Sequence, residues 1–267
     1  MSAAQDAGEQ GRRQGSAFPA FVGGESLKGV VLAAGEGRRL ASLGLGVPKP
    51  MALLQGRPLL EHTLALLRHH GIREVAINLY QLPRIIPAYF GDGDRVGMRL
   101  HYLRETWLSG SAGAVGQLRR FLGREPFLVL YGDVLTDMDL ADLMAFHRRR
   151  QPVATIAVAE LDDLSSRGVV RLTEDGWVRE FVEKPRHPPS PWANGGIYVL
   201  EPLVLDYVLP GRACDFGRDL FPRLLAEGLP ISAYCVPGYL RDIGEPEQYF
   251  RAQRDLQRGE CVTYVDR

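Results

Sequence analysis

The sequence has 267 residues, of which 45% are hydrophobic and 24% charged, an ordinary composition for a globular protein with a substantial core. Its 32 lysines and arginines are balanced by 32 aspartates and glutamates, so no net field attracts nucleic acid or an acidic membrane. No apolar run approaches the roughly 20 residues that a membrane-spanning helix needs. The three cysteines follow neither a disulfide nor a metal-binding spacing. We therefore expect a cytoplasmic protein with no nucleic-acid and no membrane partner.

The predicted fold begins at residue 27. Residues 1–26 are rich in Gly, Gln, Ser and Ala and lack the apolar stretch of a signal peptide, so they predict a flexible tail. Residues 29–33 form an apolar run that predicts a strand buried on both faces. The strand leads into Ala34-Gly35-Glu36-Gly37-Arg38-Arg39, where glycines let backbone amides approach a ligand and the arginines add positive charge. This pattern predicts an anion site, although a glycine-rich turn alone is equally compatible with a simple tight turn.

Lys49 lies between Pro48 and Pro50, which fix the local backbone and with it the direction of the ammonium group. Two common phosphate-binding motifs do not fit here. The dinucleotide motif G-x-G-x-x-G needs a small residue where Leu40 stands, and the Walker motif needs a Gly-Lys-Ser/Thr that is missing. A Rossmann dehydrogenase also predicts an acidic residue after the second strand, and the sequence there is Asn78-Leu79-Tyr80-Gln81.

The first half of the chain alternates between strands and helices. The pattern predicts strands at 74–79, 99–103 and 127–131, and helices at 58–71, 83–90, 113–122 and 140–149. We expect Asp139 to cap the last of these helices. The run Arg148-Arg149-Arg150 then forms its solvated end rather than a nucleic-acid patch. This alternation predicts an α/β layered fold with a parallel sheet.

The second half contains more strands. The pattern predicts strands at 155–158, 168–172, 177–182, 194–200 and 231–235, and helices at 216–226 and 245–258. Asp175-Gly176 predicts a tight hairpin between residues 168–172 and 177–182. We therefore expect one domain over residues 27–259, followed by a C-terminal tail at 260–267.

The pattern L-A-A-G-x-G-x-R-L, followed by P-K-P-M, resembles the signature of sugar-1-phosphate nucleotidylyltransferases, which join a nucleoside triphosphate to a sugar 1-phosphate. The resemblance runs from Lys28 to about Gln257. It implies a Rossmann-like three-layer nucleotidyltransferase (GT-A-like) fold, with a mixed, mainly parallel central sheet and a small β-rich sugar-binding insertion. It also implies that residues 27–150 mainly bind nucleotide and residues 151–259 mainly bind sugar phosphate.

The resemblance implies a nucleotide site at the first strand. Arg38 and Lys49 are expected to be catalytic, with Arg38 and the amides of the glycine-rich turn on the leaving pyrophosphate and Lys49 on the α-phosphate. Residue Glu105 and residues 108–114 resemble the segment that walls the base, although Gly113 serves helix packing equally well. The residues expected to bind nucleotide are Leu32, Ala33, Ala34, Gly35, Gly37, Arg38, Glu105, Gly110, Ser111 and Gly132.

Asp133 follows the predicted strand 127–131, and open α/β sheets bind ligands at the carboxyl ends of their strands. A carboxylate there can hold Mg²⁺ against phosphate oxygens, but it can equally cap the next turn. Residues 239–244 resemble the family's aromatic-x-D-I-G segment. The resemblance implies that Asp133 and Asp242 together hold the catalytic Mg²⁺.

Gly168, Glu183, Lys184 and Asn194 stand in segments that resemble the sugar-binding segments of the family. The resemblance implies that Lys184 neutralises the sugar phosphate, that Glu183 accepts hydrogen bonds from sugar hydroxyls, and that Asn194 reads a hydroxyl. Without the other motifs, Glu183-Lys184-Pro185 is typical of a solvated strand end.

The implied reaction is an in-line displacement that relies on alignment and charge neutralisation, without a covalent enzyme intermediate. Residues 131–134 and 215–222 look most like those of mannose-1-phosphate guanylyltransferases and related heptose or cyclitol phosphate enzymes, so the expected partners are GTP and a sugar 1-phosphate. Uridylyl- and thymidylyltransferases are the first alternative, and a non-catalytic sugar-nucleotide sensor is the second. A homodimer is left open. Ser111 replaces a family Thr and Gly195 a family Ala, departures that concern substrate fit more than reaction class.

Overall fold

The computed structural model describes residues 27–35, 44, 46–161, 164 and 166–265. Its strands are β1 (Lys28–Leu32), β2 (Leu53–Leu54), β3 (Arg57–Pro58), β4 (Glu74–Leu79), β5 (Arg99–Arg104), β6 (Phe127–Tyr131), β7 (Val134–Thr136), β8 (Ala154–Glu160), β9 (Gly168–Leu172), β10 (Val178–Glu183), β11 (Trp192–Leu200), β12 (Ile231–Cys235) and β13 (Leu240–Asp242). Its helices are α1 (Leu59–His69), α2 (Ile85–Phe90), α3 (Ser111–Gln117), α4 (Arg119–Leu122), α5 (Leu140–Arg150), α6 (Phe221–Ala226) and α7 (Pro246–Arg258). Shorter 3₁₀ turns cover Lys49–Met51, Asp94–Val96 and Pro202–Tyr207, and a π-helical turn covers Phe216–Leu220.

A nine-stranded sheet forms the centre of the protein, in the order β10-β9-β11-β6-β1-β4-β5, with β8 between β11 and β12. Strand β1 pairs in parallel with β4 and β6, β4 pairs in parallel with β5, and β8 pairs in parallel with β12. Strand β11 is antiparallel to β6, β8 and β9, and β10 is antiparallel to β9. Two strands, β10 and β11, therefore run against the other seven. The predicted mixed, mainly parallel sheet is confirmed.

Helices cover both faces of this sheet. Successive residues of a strand point to opposite faces, and the two apolar cores divide accordingly. Val31 and Leu130 belong to the core that includes leucines of α1 and α5, whereas Val30 and Val129 belong to the core that includes α3 and α6. The predicted three-layer α/β architecture is therefore confirmed.

Local signals position these elements as expected. The Asp139 carboxylate caps α5 by accepting hydrogen bonds from the amides of Ala141 (2.8 Å) and Asp142 (3.1 Å). Gly176 takes the left-handed φ of 77° in the hairpin between β9 and β10. The α5 helix ends in the predicted arginine run, where the Arg150 guanidinium packs 4.2 Å from the Trp177 ring centroid and ties this helix to the hairpin.

The predicted helix at 113–122 is wrong in detail, because it is two short helices that meet at Leu118. Glycines 113 and 116 weaken helix propensity there, and Gly116 admits Val208, whose Cγ1 would lie 2.7 Å from a Cβ at that position. The predicted helix at 216–226 likewise begins as a π-helical turn before α6. Pro58 precedes α1 rather than opening it.

The small β7–β13 sheet was not predicted. It pairs Val134 with Asp242 and Thr136 with Leu240. Each of its two strands has only three residues, and the strands are more than a hundred positions apart in the sequence. None of the helices in the described part of the chain combines the length and apolar character that a membrane crossing needs.

Candidate active site

A cavity of about 590 Å³ opens at the carboxyl ends of β1, β4 and β6. Open α/β sheets bind their ligands at this edge. The segment after β5 forms one wall, and the end of β10 with the π-helical turn forms another. The described residues that line it are Leu32, Ala33, Ala34, Gly35, Lys49, Pro50, Asn78, Glu105, Leu108, Gly110, Ser111, Tyr131, Asp133, Glu183, Lys184, Ala213, Asp215, Gly217 and Arg218.

Most residues predicted to bind nucleotide meet at this cavity. The structure brings together Leu32, Ala33, Ala34, Gly35, Glu105, Gly110 and Ser111. Gly132 lies beside the cavity lining, where its amide donates to the Leu32 carbonyl at 2.9 Å. A Cβ at Gly132 would lie 3.0 Å from that carbonyl oxygen, so glycine permits the close approach of β6 to β1. Gly37 and Arg38 lie outside the described residues, and their roles stay predictions.

Glu105 is held in the wall by Ser109, in the loop after β5, and by Asn78, on β4. Ser109 Oγ donates to Glu105 Oε1 at 2.6 Å, and the Asn78 side chain also hydrogen-bonds to this carboxylate. Asn78 Oδ1 in turn accepts from the Ala33 amide at 2.7 Å, which joins the wall to the end of β1. Burial raises the pKa of Glu105, and the hydrogen bonds from Ser109 and Asn78 partly oppose that rise. The cavity therefore contains a fixed, partly desolvated carboxylate.

Lys49 occupies a short 3₁₀ turn whose entry is fixed by Pro48 in an extended conformation. Its ammonium contacts the Asp133 carboxylate directly and lies 3.6 Å from Asp242 Oδ1. The Ile243 amide donates to the Asp133 carbonyl at 2.8 Å, so the β7–β13 sheet holds both aspartates at one place. Asp242 Oδ2 also lies 3.6 Å from a guanidinium nitrogen of Arg167. Two cations therefore balance two carboxylates beside the cavity.

The donor set of Asp133 and Asp242 fits a hard divalent cation. Mg²⁺ in proteins takes oxygen ligands, commonly one or two carboxylates completed by substrate phosphates and water. Within the described ranges, no cluster of three or more His, Cys, Asp or Glu side chains is arranged to hold a metal. A cation here would therefore take its remaining ligands from substrate and water.

Glu183 and Lys184 form the opposite wall at the end of β10. The Glu183 carboxylate fits between two glycines, because Cβ atoms at Gly168 and Gly217 would lie 3.0 Å and 2.6 Å from its Oε2. Burial raises the pKa of Glu183, while Lys184 and Arg218 lower it. Gly168 itself does not line the cavity. A glycine is needed there because a Cβ would crowd the Glu183 carboxylate and the Phe181 ring.

Lys184 adopts a left-handed backbone with φ of 50°, which is unusual for a residue other than glycine. Its amide donates to the Arg167 carbonyl at 3.0 Å, and its ammonium lies 3.9 Å from Glu183 Oε1. A sparsely populated conformation persists only where the surrounding structure imposes it, and such residues cluster at functional sites. Here it accompanies an ammonium group that lines the cavity.

Asn194 does not line the cavity. It lies in β11 where the register with β8 shifts, and Asn194 Oδ1 accepts from the Gly196 amide at 3.1 Å. Asn194 Nδ2 donates to the Tyr198 hydroxyl at 2.8 Å. Tyr198 is hydrogen-bonded to Tyr131, which does line the cavity. Asn194 therefore connects to the site through two tyrosines.

Several cavity residues were not predicted as site residues. Asn78 and Tyr131 end or nearly end parallel strands, and polar residues at that edge of a sheet are a usable signal. Leu108 lies in the segment that resembles the base wall, but no contact was predicted for it. Ala213 lies outside the recognised segments, and Asp215, Gly217 and Arg218 lie in residues 215–222, which resemble the family but were given no role. The last four reach the site only because the chain folds back against residues 109–113, where the Cys214 amide donates to the Ser109 carbonyl at 2.8 Å.

Comparison with known proteins gives the family. A family model described as "Nucleotidyl transferase" matches residues 28–259. The chain is 37% identical over 231 residues to a mannose-1-phosphate guanylyltransferase from Mycobacterium tuberculosis, covering 86% of this chain and 64% of that protein. It is 36% identical over 245 residues to a UTP–glucose-1-phosphate uridylyltransferase from Synechocystis, covering 86% of this chain and 63% of that protein. The chain thus spans less than two thirds of the length of these curated relatives.

Solved structures agree with the fold. HddC from Yersinia pseudotuberculosis in complex with GMP-PN superimposes with a TM-score of 0.74 at 25% identity, covering 86% of this chain and 99% of that one. A putative glucose-1-phosphate thymidylyltransferase from Bacillus anthracis superimposes with a TM-score of 0.79 at 23% identity, covering 86% and 94%. The latter likeness concerns the fold alone. The resemblance found in the sequence motifs is confirmed, and the chain belongs to the nucleotidyl transferase family.

Proposed function

We propose that this protein transfers a nucleoside monophosphate from a nucleoside triphosphate to a sugar 1-phosphate and releases pyrophosphate. The observation that carries the proposal is the arrangement of charge around one cavity. Lys49, Asp133 and Asp242 meet at one side, and Glu183 with Lys184 line another. A site for two polyanionic substrates needs cations for each phosphate, and this cavity supplies an ammonium on two separate walls.

In this reaction an oxygen of the sugar 1-phosphate attacks the α-phosphorus of the triphosphate. The bond from that phosphorus to the oxygen bridging to the β-phosphate breaks, and pyrophosphate leaves with the electron pair. A sugar phosphate is already anionic near neutral pH, so the attack needs no dedicated general base. The proposed work of the protein is alignment and charge neutralisation, with Lys49 at the α-phosphate and Lys184 at the attacking phosphate. The predicted role of Arg38 and of the amides of Gly35 and Gly37 is to bind the leaving pyrophosphate.

Asp133 and Asp242 are the proposed ligands of a divalent metal, which we take to be Mg²⁺. When bound, the metal would neutralise phosphate charge that builds up during the displacement. Lys49 already faces both carboxylates, so it would share the phosphate oxygens with the metal and would help to fix their orientation.

GTP is the proposed nucleotide, and the chemistry of Glu105 supports that choice. Guanine presents two adjacent donors, N1–H and the N2 amino group, to which the two oxygens of a carboxylate are complementary. Uracil and thymine present one N–H between two carbonyl oxygens, which a carboxylate would repel. The solved relative bound to GMP-PN also supports a guanine nucleotide. A uridylyl- or thymidylyltransferase is the alternative, supported by the Synechocystis relative.

Mannose 1-phosphate, or a related heptose or cyclitol phosphate, is the proposed acceptor, since mannose-1-phosphate guanylyltransferases recur among the curated relatives. The division into a nucleotide half at 27–150 and a sugar half at 151–259, a cytoplasmic location and a homodimer remain predictions. A non-catalytic sugar-nucleotide sensor is the second alternative, and the presence of Lys49, Asp133, Lys184 and Asp242 together argues for the enzyme.

The test is pyrophosphate release with Mg²⁺, measured for GTP, UTP, dTTP, ATP and CTP against mannose, glucose and manno-heptose 1-phosphates and a cyclitol phosphate. Asp133→Asn serves as the inactivated variant. Asp206→Asn, which removes an exposed carboxylate paired with Arg119 outside the cavity, serves as the matched control. Release with a clear nucleotide–acceptor pair, lost only in Asp133→Asn, would establish the reaction. Nucleotide binding without release for any acceptor would favour the sensor instead.

A further inference from the structure

One carboxylate connects the two proposed substrate walls of the cavity. Asp215 Oδ1 accepts hydrogen bonds from the amide of Ser111 at 3.1 Å and from its hydroxyl oxygen at 3.2 Å. Ser111 lies on the wall that we assign to the nucleotide. Asp215 immediately precedes the π-helical turn, whose Gly217 packs against the Glu183 carboxylate on the acceptor wall. Asp215 therefore lies where the two walls meet.

The backbone around Asp215 fixes the position of this carboxylate. The Cys214 amide donates to the Ser109 carbonyl at 2.8 Å, and the Gly113 amide donates to the Cys214 carbonyl at 2.9 Å. The two segments approach so closely that a Cβ at Gly110 would lie 2.5 Å from the Cys214 carbonyl oxygen. The Phe216 amide donates to Ser111 Oγ at 3.0 Å and closes the same junction. A side chain anchored in this way cannot turn away from the cavity at little cost.

The second oxygen of this carboxylate is available to a ligand. Both side-chain hydrogen bonds of Asp215 go to Oδ1, and across the described residues Oδ2 accepts none. Asp215 lines the cavity together with Glu183, and Gly217, two residues after Asp215, packs against the Glu183 carboxylate. Two carboxylates that line one cavity offer several acceptor oxygens, and the hydroxyl groups of a polyol are matching donors.

We infer that Asp215 determines specificity for the acceptor: Oδ1 holds the Ser111 loop in place, and Oδ2 accepts a hydrogen bond from a hydroxyl of the sugar or cyclitol phosphate. This inference rests on the proposed function. The ribose of the nucleotide carries the same hydroxyl chemistry. The packing of Gly217, two residues after Asp215, against Glu183 favours the acceptor side for Asp215, and the experiment separates the two sources.

The test compares Asp215→Asn with the wild type, using the nucleotide–acceptor pair that the wild type turns over best. Asparagine has the same shape, and its amide oxygen can still accept from Ser111, but its amino group replaces the second acceptor. The expected result is a fall in kcat/KM for the acceptor of about 10- to 100-fold, while the KM of the nucleotide changes by less than about threefold. Asp206→Asn is the matched control and should change neither parameter.

Acceptors lacking single hydroxyls identify the contact. With one deoxy acceptor, kcat/KM of the wild type should fall by the same factor as the Asp215→Asn substitution causes with the complete acceptor. Wild type and Asp215→Asn should have equal kcat/KM for that deoxy acceptor. If Asp215→Asn does not fold, as judged by its melting temperature, Asp215→Ser replaces it in the same measurements.

Three results would overturn the inference. The first is an unchanged kcat/KM for the acceptor in the variant. The second is an equal penalty for every deoxy acceptor. The third is an effect of Asp215→Asn that disappears when the ribonucleotide is replaced by its 2′- or 3′-deoxy form, since this would assign the contact to the ribose. Absence of turnover by the wild type with every pair would overturn the proposed function itself, and this inference with it.

Discussion

The ammonium nitrogen of Lys49 lies 3.6 Å from Oδ1 of Asp242. It also contacts Asp133, a residue 84 positions further along the chain than the lysine. The side chain of Lys49 is only 11% exposed, so this charge is shielded from water and interacts strongly with both carboxylates. If Asp133 and Asp242 hold the proposed metal, Lys49 competes with it for the same oxygens.

This competition gives opposite effects on metal binding and on turnover. We expect Lys49→Met to bind Mn²⁺ more tightly than the wild type in the absence of substrates, because two carboxylates lose their internal counter-charge. The same variant should lose about 10²- to 10³-fold in kcat, because a cation at the α-phosphate is missing. Calorimetric titration with Mn²⁺ and steady-state kinetics measure the two effects. Lys28→Met, which removes an ammonium outside the cavity, is the control. Weaker Mn²⁺ binding in Lys49→Met would contradict the shared-site interpretation.

The base preference should depend on Glu105. In Glu105→Gln, the side-chain amide offers one acceptor and one donor, a pair that matches the N3–H and the carbonyl of uracil and conflicts with the two donors of guanine. We expect the ratio of kcat/KM for GTP to that for UTP to fall by about 100-fold or more. Competition assays with both nucleotides measure this ratio, with Glu125→Gln as an exposed control. An unchanged ratio would remove Glu105 from base recognition.

Glu105 should also make stability depend on pH. Because burial raises its pKa above the ordinary value of 4.5, the native state keeps this proton at pH values where the unfolded chain has lost it. The native state then binds more protons, so this group lowers the free energy of unfolding as pH rises through that window. Wild type should therefore lose stability relative to Glu105→Gln between about pH 4 and pH 7, a range that begins below the ordinary pKa. Urea denaturation of both proteins at pH 4 and pH 7 gives the difference between their free energies of unfolding at each pH. If the wild type instead gained stability relative to Glu105→Gln as the pH rose, the native structure would stabilise the ionised carboxylate more than water does.

Lys184 combines a strained backbone with a charge in the cavity, and two substitutions separate these properties. Lys184→Gly and Lys184→Ala both remove the ammonium, so both should raise the KM for the acceptor, by about 10-fold or more. Only glycine accepts a φ of 50° without steric cost, so Lys184→Gly should be more stable than Lys184→Ala by about 1 kcal/mol. Thermal and chemical denaturation would show this order. Equal stability of the two variants would mean that the surrounding structure relaxes readily.

The parts of the fold that could be predicted from sequence are those that depend on local chemistry. Strands β4, β6, β9 and β12 begin and end at the predicted residues, because each is a short run of mainly apolar residues bounded by turn residues. The capping of α5 by Asp139 and the hairpin at Gly176 also rest on neighbours in sequence. Such features need no knowledge of the rest of the chain.

The parts that could not be predicted depend on distant partners. Strand β13 has three residues and exists because β7 pairs with it, and no local signal identifies such a pair. Asp215 lies in residues 215–222, which resemble the family, but its position at the site appears only when the Cys214 backbone is seen bonded to Ser109 and Gly113. Asp133 had a local signal at the end of a strand, whereas Asp242 became a candidate only through resemblance to a family.

Strand β11 has a consequence for how the protein can capture its substrates. Along one edge it pairs with β6, from the first half of the chain, and with β9, and along the other edge it pairs with β8, where the register shifts between Asn194 and Tyr198. A hinge between the two halves would have to break the main-chain hydrogen bonds of that strand. Closure by rotation of one lobe over the other is therefore unavailable to this sheet. Access to the cavity must be controlled by side chains and short loops at its rim, so a bound and a free form should share the same sheet geometry.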